Sequence, residues 1–96
     1  MPRDERAAVR QKERSKLVIT GVDARGLAFE ERTEALDISE DGLACYLGHS
    51  VWMHSHLTAE VVASSIFTSS RVIRAMVMRI QADPSGKQFV AVRFYE

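Results

Sequence analysis

The chain has 96 residues, of which 46% are hydrophobic and 27% charged, a composition that predicts one globular domain and excludes a largely disordered chain. Thirteen Lys and Arg residues balance thirteen Asp and Glu residues, which argues against a polymeric nucleic-acid partner because such binding rewards a basic excess. Cys45 is the only cysteine, so an internal disulfide is excluded and a cysteine-rich zinc site lacks its other thiolates.

The first 15 residues are dominated by charged side chains, with one short apolar run at residues 7–9. So little apolar surface predicts a flexible N-terminal arm over residues 1–15, followed by a folded domain over residues 16–96. The arm lacks the apolar core of a signal peptide, and no run of about 18 apolar residues follows it. We therefore expect a cytoplasmic protein that does not insert into a membrane.

Short β-branched segments separated by turn residues occupy the rest of the chain and predict β-strands. The predicted strands cover residues 17–22, 27–36, 43–47, 50–56 or 50–62, 72–80 and 88–95. The Asp-Pro-Ser-Gly-Lys sequence at residues 83–87 is a strong turn signal, so the last two strands are expected to form a hairpin. Residues 57–67 are ambiguous, because Thr58 is a candidate helix cap whereas the segment contains β-branched residues, and of the two alternatives we favour a strand.

Six short strands and no long helix predict a small six-stranded antiparallel β-barrel, since closure of the sheet removes exposed strand edges. Four bulky side chains are expected to fill the barrel or its mouth: Trp52, Met53, Met76 and Met78. Residues 70–96 carry five basic and two acidic side chains, so an anionic ligand would meet local arginines rather than a net positive charge of the whole chain.

Two arginines, Arg10 and Arg14, are separated by three residues just before the first predicted strand. On a helix they would share a face, and in an extended segment they would reach around a ligand from two sides. Each guanidinium is a planar fork that fits a phosphate or the O6 and N7 acceptors of guanine. The alternative is an exposed basic segment without a ligand, because spaced arginines are common on helix surfaces.

A second motif, Asp37-Ile-Ser39-Glu-Asp-Gly42, lies where one predicted strand ends and the next begins. Asp37 and Ser39 are two residues apart, so on a strand both side chains would project from one face. There the carboxylate could accept hydrogen bonds from a guanine edge, and Gly42 would permit a positive φ and a close ligand. The alternative is a plain hairpin turn in which these side chains bond backbone amides.

The two motifs in this order resemble the hallmark of the PilZ domain family, Arg-x-x-x-Arg followed by Asp-x-Ser-x-x-Gly. Five residues match every fixed position: Arg10, Arg14, Asp37, Ser39 and Gly42. PilZ domains are six-stranded β-barrels that bind the bacterial second messenger cyclic di-GMP and convert its concentration into altered protein contacts. The resemblance implies that the two arginines hold guanine and phosphate edges, that Asp37 and Ser39 bind a guanine, and that Gly42 leaves space.

The remaining polar residues do not indicate a metal site or catalysis. His54 and His56 alternate onto one predicted strand face near His49 and Cys45, but no carboxylate or second cysteine completes a metal-ligand spacing. Ser39 has no histidine near it in sequence and no fixed pair of acids around it. We therefore predict surface histidines and a protein that is not an enzyme and needs no cofactor.

These observations favour a cyclic di-GMP receptor that acts through a downstream protein partner, whose identity the sequence does not reveal. One alternative is a PilZ-type interaction module that binds no nucleotide. Another is a small barrel that binds single-stranded RNA or DNA, which would need aromatic platforms and a basic groove. Seven aromatic residues and a net charge of zero argue against that last alternative.

Overall fold

The computed structural model describes residues 15–62 and 70–95, in which the chain forms strands and turns. The strands are β1 (Lys16–Val22), β2 (Ala28–Ile38), β3 (Gly42–Leu47), β4 (His56–Val61), β5 (Arg71–Ala82) and β6 (Gln88–Tyr95). All pairs are antiparallel, and the sheet closes into a barrel in the order β1-β2-β3-β6-β5-β4. The predicted six-stranded barrel is therefore confirmed.

Two predicted features fall wholly or partly on residues outside the described ranges. The predicted arm does so except for Ser15, and so do residues 63–69 of the segment that was ambiguous between strand and helix. The described part of that segment, up to Val61, is strand β4. Within residues 15–62 and 70–95, no helix has the length and apolarity needed to cross a membrane.

The core of the barrel consists of small and medium aliphatic side chains that alternate with outward residues, because successive residues of a strand face opposite sides. The most completely buried aliphatic side chains include Leu47, Val61, Val77 and Val90, each with 0% of its surface exposed. Cys45 packs among them, and burial, assisted by the charge of Glu31, raises the pKa of its thiol to about 12. The thiol therefore stays protonated and serves as packing material.

Tight turns join β1 to β2 and β5 to β6, and the second of them confirms the predicted hairpin at residues 83–87. In the β1–β2 turn, the Asp23 carboxylate accepts hydrogen bonds of 2.9 Å from the backbone N–H groups of Arg25 and Leu27. In the β5–β6 turn, the N–H of Asp83 donates to the carbonyl of Lys87 at 3.0 Å. Glycines supply the left-handed conformation in both turns, at φ +86° and +94°. These turns and the β3–β4 connection lie at one end of the barrel, and the β2–β3 turn lies at the other.

The predicted start of the fourth strand at residue 50 is wrong, because β4 begins only at His56, whereas its extension towards residue 62 is confirmed by the end of β4 at Val61. Residues 52–55 form a turn in which the Trp52 N–H donates to Ser55 Oγ at 3.1 Å and the Ser55 hydroxyl donates to the Trp52 carbonyl at 2.7 Å. His54 in this turn has a φ of +67°, a conformation that a strand does not contain. The turn remains bonded to β5, because the His54 N–H donates to the Val77 carbonyl at 2.8 Å and the Val77 N–H donates to the Ser55 carbonyl at 2.9 Å.

Three of the bulky side chains expected in the barrel lie on its surface. Trp52 is 66% exposed, and Met53 and Met78 are also exposed. Trp52 and Met53 belong to the turn described above. Met78 is the extra residue of a β-bulge in β5, where the pairing with β6 shifts between Val77 and Arg79. Aliphatic side chains fill the barrel interior in place of these three residues.

Hydrogen bonds to the side chain of Glu31 attach the β3–β4 connection to β2. The Glu31 carboxylate accepts hydrogen bonds from the backbone N–H groups of Gly48 and His49, at 2.7 and 3.2 Å, and lies 2.7 Å from His49 Nδ1. The His49 ring also stacks on Phe29, with 4.6 Å between ring centroids. Burial alone would raise the pKa of Glu31, but the bonds from His49 and Gly48 outweigh it and hold that pKa below its ordinary value.

Glu31→Gln is expected to lower the free energy of unfolding by about 1 kcal/mol or more near neutral pH, because charge-assisted hydrogen bonds are lost. A depressed pKa contributes stability above the ordinary value of 4.5, and that contribution disappears as the pH falls through the lower folded-state pKa. Urea unfolding of both proteins should therefore show a difference that shrinks below about pH 4.5. Glu30→Gln, at an exposed neighbouring position, is the control, and an equal effect in that variant would contradict the assignment.

Candidate ligand-binding site

The second predicted motif and Ser15, where the described chain begins, lie at the same end of the barrel. The β2–β3 turn contains Ser39, and the backbone N–H of Ala35 near the end of β2 donates to the carbonyl of Ser15 at 2.8 Å. Arg14 directly precedes Ser15 in the sequence, so the first motif is joined covalently to the barrel beside the second. Arg10 and Arg14 themselves lie outside the described residues.

Asp37 is exposed on the outer face of the barrel. A β-bulge between Ala35 and Asp37 makes Leu36 an extra residue in β2. Without that bulge, the alternation that buries Phe29 and Ala35 would turn Asp37 towards the core, so the bulge is what places its carboxylate in solvent. Among the residues that the structure describes, none is a hydrogen-bond or ion-pair partner of this carboxylate.

Ser39 lies in the turn after β2, since that strand ends at Ile38. Its Oγ accepts a hydrogen bond of 3.1 Å from the backbone N–H of Asp41, and its own N–H donates to the carbonyl of Gly42 at 2.9 Å. The side chain is exposed. Ser39 thus has the local turn role that was the alternative to ligand binding, and its hydroxyl keeps a donor that the turn does not use.

Gly42 has a structural reason to be glycine that differs from the predicted one. The positive φ values within residues 15–62 and 70–95 belong to Gly26, Gly86 and His54, so the expected positive φ at Gly42 is wrong. A Cβ added to Gly42 would overlap the carbonyl oxygen of Val92 in β6. Glycine is needed because β3 and β6 approach each other closely where β3 begins.

Outward-facing residues of four neighbouring strands form a continuous surface beside this turn, which we call the site face. The strand register places Asp37 next to Ala44, Ala44 next to Ala91, and Ala91 next to Arg79 across β2, β3, β6 and β5. Gly42 lies two residues before Ala44 in β3, closer to the β2–β3 turn, and it pairs with Arg93 of β6. The middle of the site face carries only glycine and alanine, so no large side chain projects there, and charged residues lie at its edges.

The arginines of β5 and β6 were not among the predicted site residues. Arg74 lies 5.6 Å from the centroid of the Tyr95 ring, and Arg79 lies 5.9 Å from that of Phe89. Such contacts hold a guanidinium flat along the surface and are each worth roughly 0.5 to 1 kcal/mol when exposed. The basic charge of residues 70–96 was the available signal, but it did not show which arginines share a face with Asp37.

The histidines are dispersed over the barrel. His49 Nδ1 contacts the Glu31 carboxylate, and His56 Nδ1 is 2.6 Å from the hydroxyl of Tyr95. The expectation that His54 and His56 share a strand face is wrong, because His54 lies in the turn before β4. Within the described ranges, no three His, Cys, Asp or Glu side chains are grouped as a metal site would require.

Comparisons with known proteins support the fold. No model of a protein family matches the chain, and no curated protein sequence does. Among solved structures, the chain is similar to the Bacillus subtilis inhibitor of motility (MotI/DgrA), with a TM-score of 0.66 and 26% sequence identity. The similarity covers 92% of this chain and 41% of that one, so the chain spans about two fifths of the length of that protein. The barrel is thus of the PilZ type.

Gly42→Ala is expected to lower the free energy of unfolding by about 1 to 3 kcal/mol, because β3 and β6 must separate to admit the methyl group. Urea unfolding of the purified protein measures the loss. Gly48→Ala is a matched control, since a Cβ there would lie at an ordinary contact distance of 3.4 Å from Glu31 Oε2. Equal stability of wild type and Gly42→Ala would show that the close approach does not constrain this position.

Proposed function

We propose that the chain is a PilZ-type receptor that binds cyclic di-GMP and converts binding into altered contacts with a protein partner. The observation that carries the proposal is the exposed Asp37 carboxylate. It stands without a described partner at the edge of a surface of small side chains, at the end of the barrel where the segment with Arg10 and Arg14 is attached. Similarity to the inhibitor of motility supports the barrel that this role requires.

Asp37 is suited to bind a guanine base. A carboxylate has acceptor sites only, and the Watson–Crick edge of guanine presents two neighbouring donors, N1–H and N2–H, which adenine lacks. Ser39 follows Asp37 by two residues, and its hydroxyl is available to donate to the same ligand. Selectivity for guanine over adenine is therefore expected from the Asp37 side chain.

Arg10 and Arg14 are proposed to complete the site from the preceding segment. A guanidinium binds a phosphate or the O6 and N7 edge of guanine through two parallel hydrogen bonds. Because the segment reaches the barrel at Ser15, next to the end of β2, both arginines are within a short chain length of Asp37. A ligand held by both motifs would change the position of the segment relative to the barrel.

The signal that the receptor passes to its protein partner would follow from this change in the position of the segment. A ligand shifts a conformational equilibrium only if it binds one state more tightly than the other. Contacts to Arg10 and Arg14 are made only when the segment lies against the bound nucleotide, so the ligand supplies this difference in affinity. A protein partner that contacts residues 1–14 would then distinguish the liganded from the free receptor.

Calorimetric titration tests the proposal against its alternatives. Cyclic di-GMP, cyclic di-AMP, GMP and a single-stranded oligonucleotide are titrated separately into the wild-type protein. Saturable binding of cyclic di-GMP at lower concentration than the other three supports the receptor. Binding of none of the four would favour the nucleotide-free interaction module, and preference for the oligonucleotide would favour the nucleic-acid-binding barrel.

Asp37→Ala is expected to weaken cyclic di-GMP binding by about tenfold or more, since hydrogen bonds to a charged group contribute roughly 1.5 to 3 kcal/mol. Discrimination against cyclic di-AMP should fall as well. Because the carboxylate has no described partner, the thermal midpoint should stay close to that of wild type. A loss of stability with binding retained would instead assign Asp37 to the turn.

Arg14→Ala is expected to reduce cyclic di-GMP affinity by a similar factor, about tenfold or more, through the loss of charge-assisted hydrogen bonds. The matched control is Arg25→Ala in the exposed β1–β2 turn at the other end of the barrel, which removes the same charge. Titration of both variants separates a specific contact from the general electrostatic field. Equal affinities for the two variants would remove Arg14 from the site.

A further inference from the structure

The outer surface of β5 and β6 carries an unassigned set of arginines next to the proposed site. Arg93 is the direct neighbour of Gly42 across the β3–β6 pair, and Arg79 is the direct neighbour of Ala91 across the β5–β6 pair. Both side chains are exposed. They lie on the same site face as Asp37, separated from it by residues whose side chains are a methyl group or a hydrogen.

Arg93 is free to bind a ligand. None of the described residues forms an ion pair or hydrogen bond with its guanidinium, and no aromatic ring holds it. Its neighbour Gly42 has no side chain, so the space above the start of β3 is open to the guanidinium. An exposed arginine without an acidic partner contributes little to stability, which leaves its charge available.

Arg79 reaches the site face because of the bulge in β5. Val77 is buried opposite Val92, and strict alternation would bury residue 79 as well. Met78 is the extra residue that reverses the alternation, so that Ile80 packs against the core and Arg79 faces outward. The bulge in β2 does the same for Asp37. Two independent bulges thus direct charged side chains to one surface.

The order of these groups across the sheet suits a ligand with a base at one side and phosphates at the other. Asp37 and Arg79 are three strand intervals apart, about 14 Å at the usual spacing between neighbouring strands. The acid lies on the β2 edge, and the two arginines lie on the β6 and β5 side. A carboxylate repels a phosphate, so the anionic part of a ligand whose guanine binds Asp37 would lie towards the arginines.

We propose that Arg93 and Arg79 bind the phosphodiester groups of the cyclic dinucleotide while Asp37 binds a guanine. The inference rests on the proposed function and extends it, because the phosphate contacts come from the barrel itself as well as from Arg10 and Arg14. The small side chains of Gly42, Ala44 and Ala91 would let the ligand lie close to the backbone between the two sets of contacts.

Titration of cyclic di-GMP into wild type, Arg93→Ala, Arg79→Ala and Arg32→Ala tests the inference. Arg32 is exposed on β2 and pairs with Val18 of β1, outside the site face, so its variant controls for the loss of one positive charge. We expect about tenfold or greater loss of affinity for Arg93→Ala and a smaller loss for Arg79→Ala, whose guanidinium also contacts Phe89. Arg32→Ala should bind like wild type.

Two further measurements separate phosphate binding from other effects. Arg93→Lys keeps the charge but loses the planar fork, so its affinity should lie between those of wild type and Arg93→Ala. Phosphorus NMR of the bound ligand should show a changed phosphate resonance with Arg93→Ala, whereas Asp37→Ala should leave that resonance nearer to its wild-type position. The thermal midpoint of each variant shows that the barrel is intact.

The outcomes distinguish this inference from the function on which it rests. If wild type does not bind cyclic di-GMP, both are overturned. If wild type binds and Asp37→Ala weakens binding, but Arg93→Ala and Arg79→Ala behave like Arg32→Ala, the function stands and the arginine assignment is overturned. An affinity loss equal in all three arginine variants would also overturn it, since only the general field would then matter.

Discussion

Closure of the sheet is the constraint on which the structure depends. β4 completes the barrel by pairing with β1, and β6 pairs with β3 although about forty residues separate them in sequence. The site turn rests on the second of these pairs: the N–H of Phe94 donates to the carbonyl of Asp41 at 2.8 Å, and Gly42 admits the backbone of β6 at Val92. The candidate site therefore exists only in the closed barrel, where its backbone groups are paired.

The parts of the fold that depend on neighbouring residues could be predicted from sequence. The hairpin at residues 83–87 follows from the conformational preferences of Pro84 and Gly86, and the apolar alternation of β6 was visible in the sequence. The start of β4 could not be predicted, since it depends on the bonds between Ser55 and Trp52. The sequence around a serine in an apolar segment does not show whether the serine hydroxyl will form hydrogen bonds within its own turn.

The residues of the candidate site likewise divide into those that the local sequence reveals and those that it does not. Asp37 and Ser39 stand out because their spacing and their place between two strands are local properties. Arg79 does not, because the period of two that correctly assigns Ala75 and Val77 to the interior would also place residue 79 there. Only pairing with β6 reveals the bulge at Met78. Gly42 was singled out for its backbone freedom, whereas its neighbour in the barrel, Val92, is the actual reason for glycine.

The position of Trp52 determines how the protein can be observed in solution. It is the only tryptophan, is 66% exposed, and belongs to the turn before β4, at the end of the barrel opposite Asp37. Most of its surface is in water in the folded state, so unfolding changes its surroundings little. Intrinsic tryptophan fluorescence will consequently change little on unfolding, and circular dichroism or calorimetry is the appropriate signal for stability.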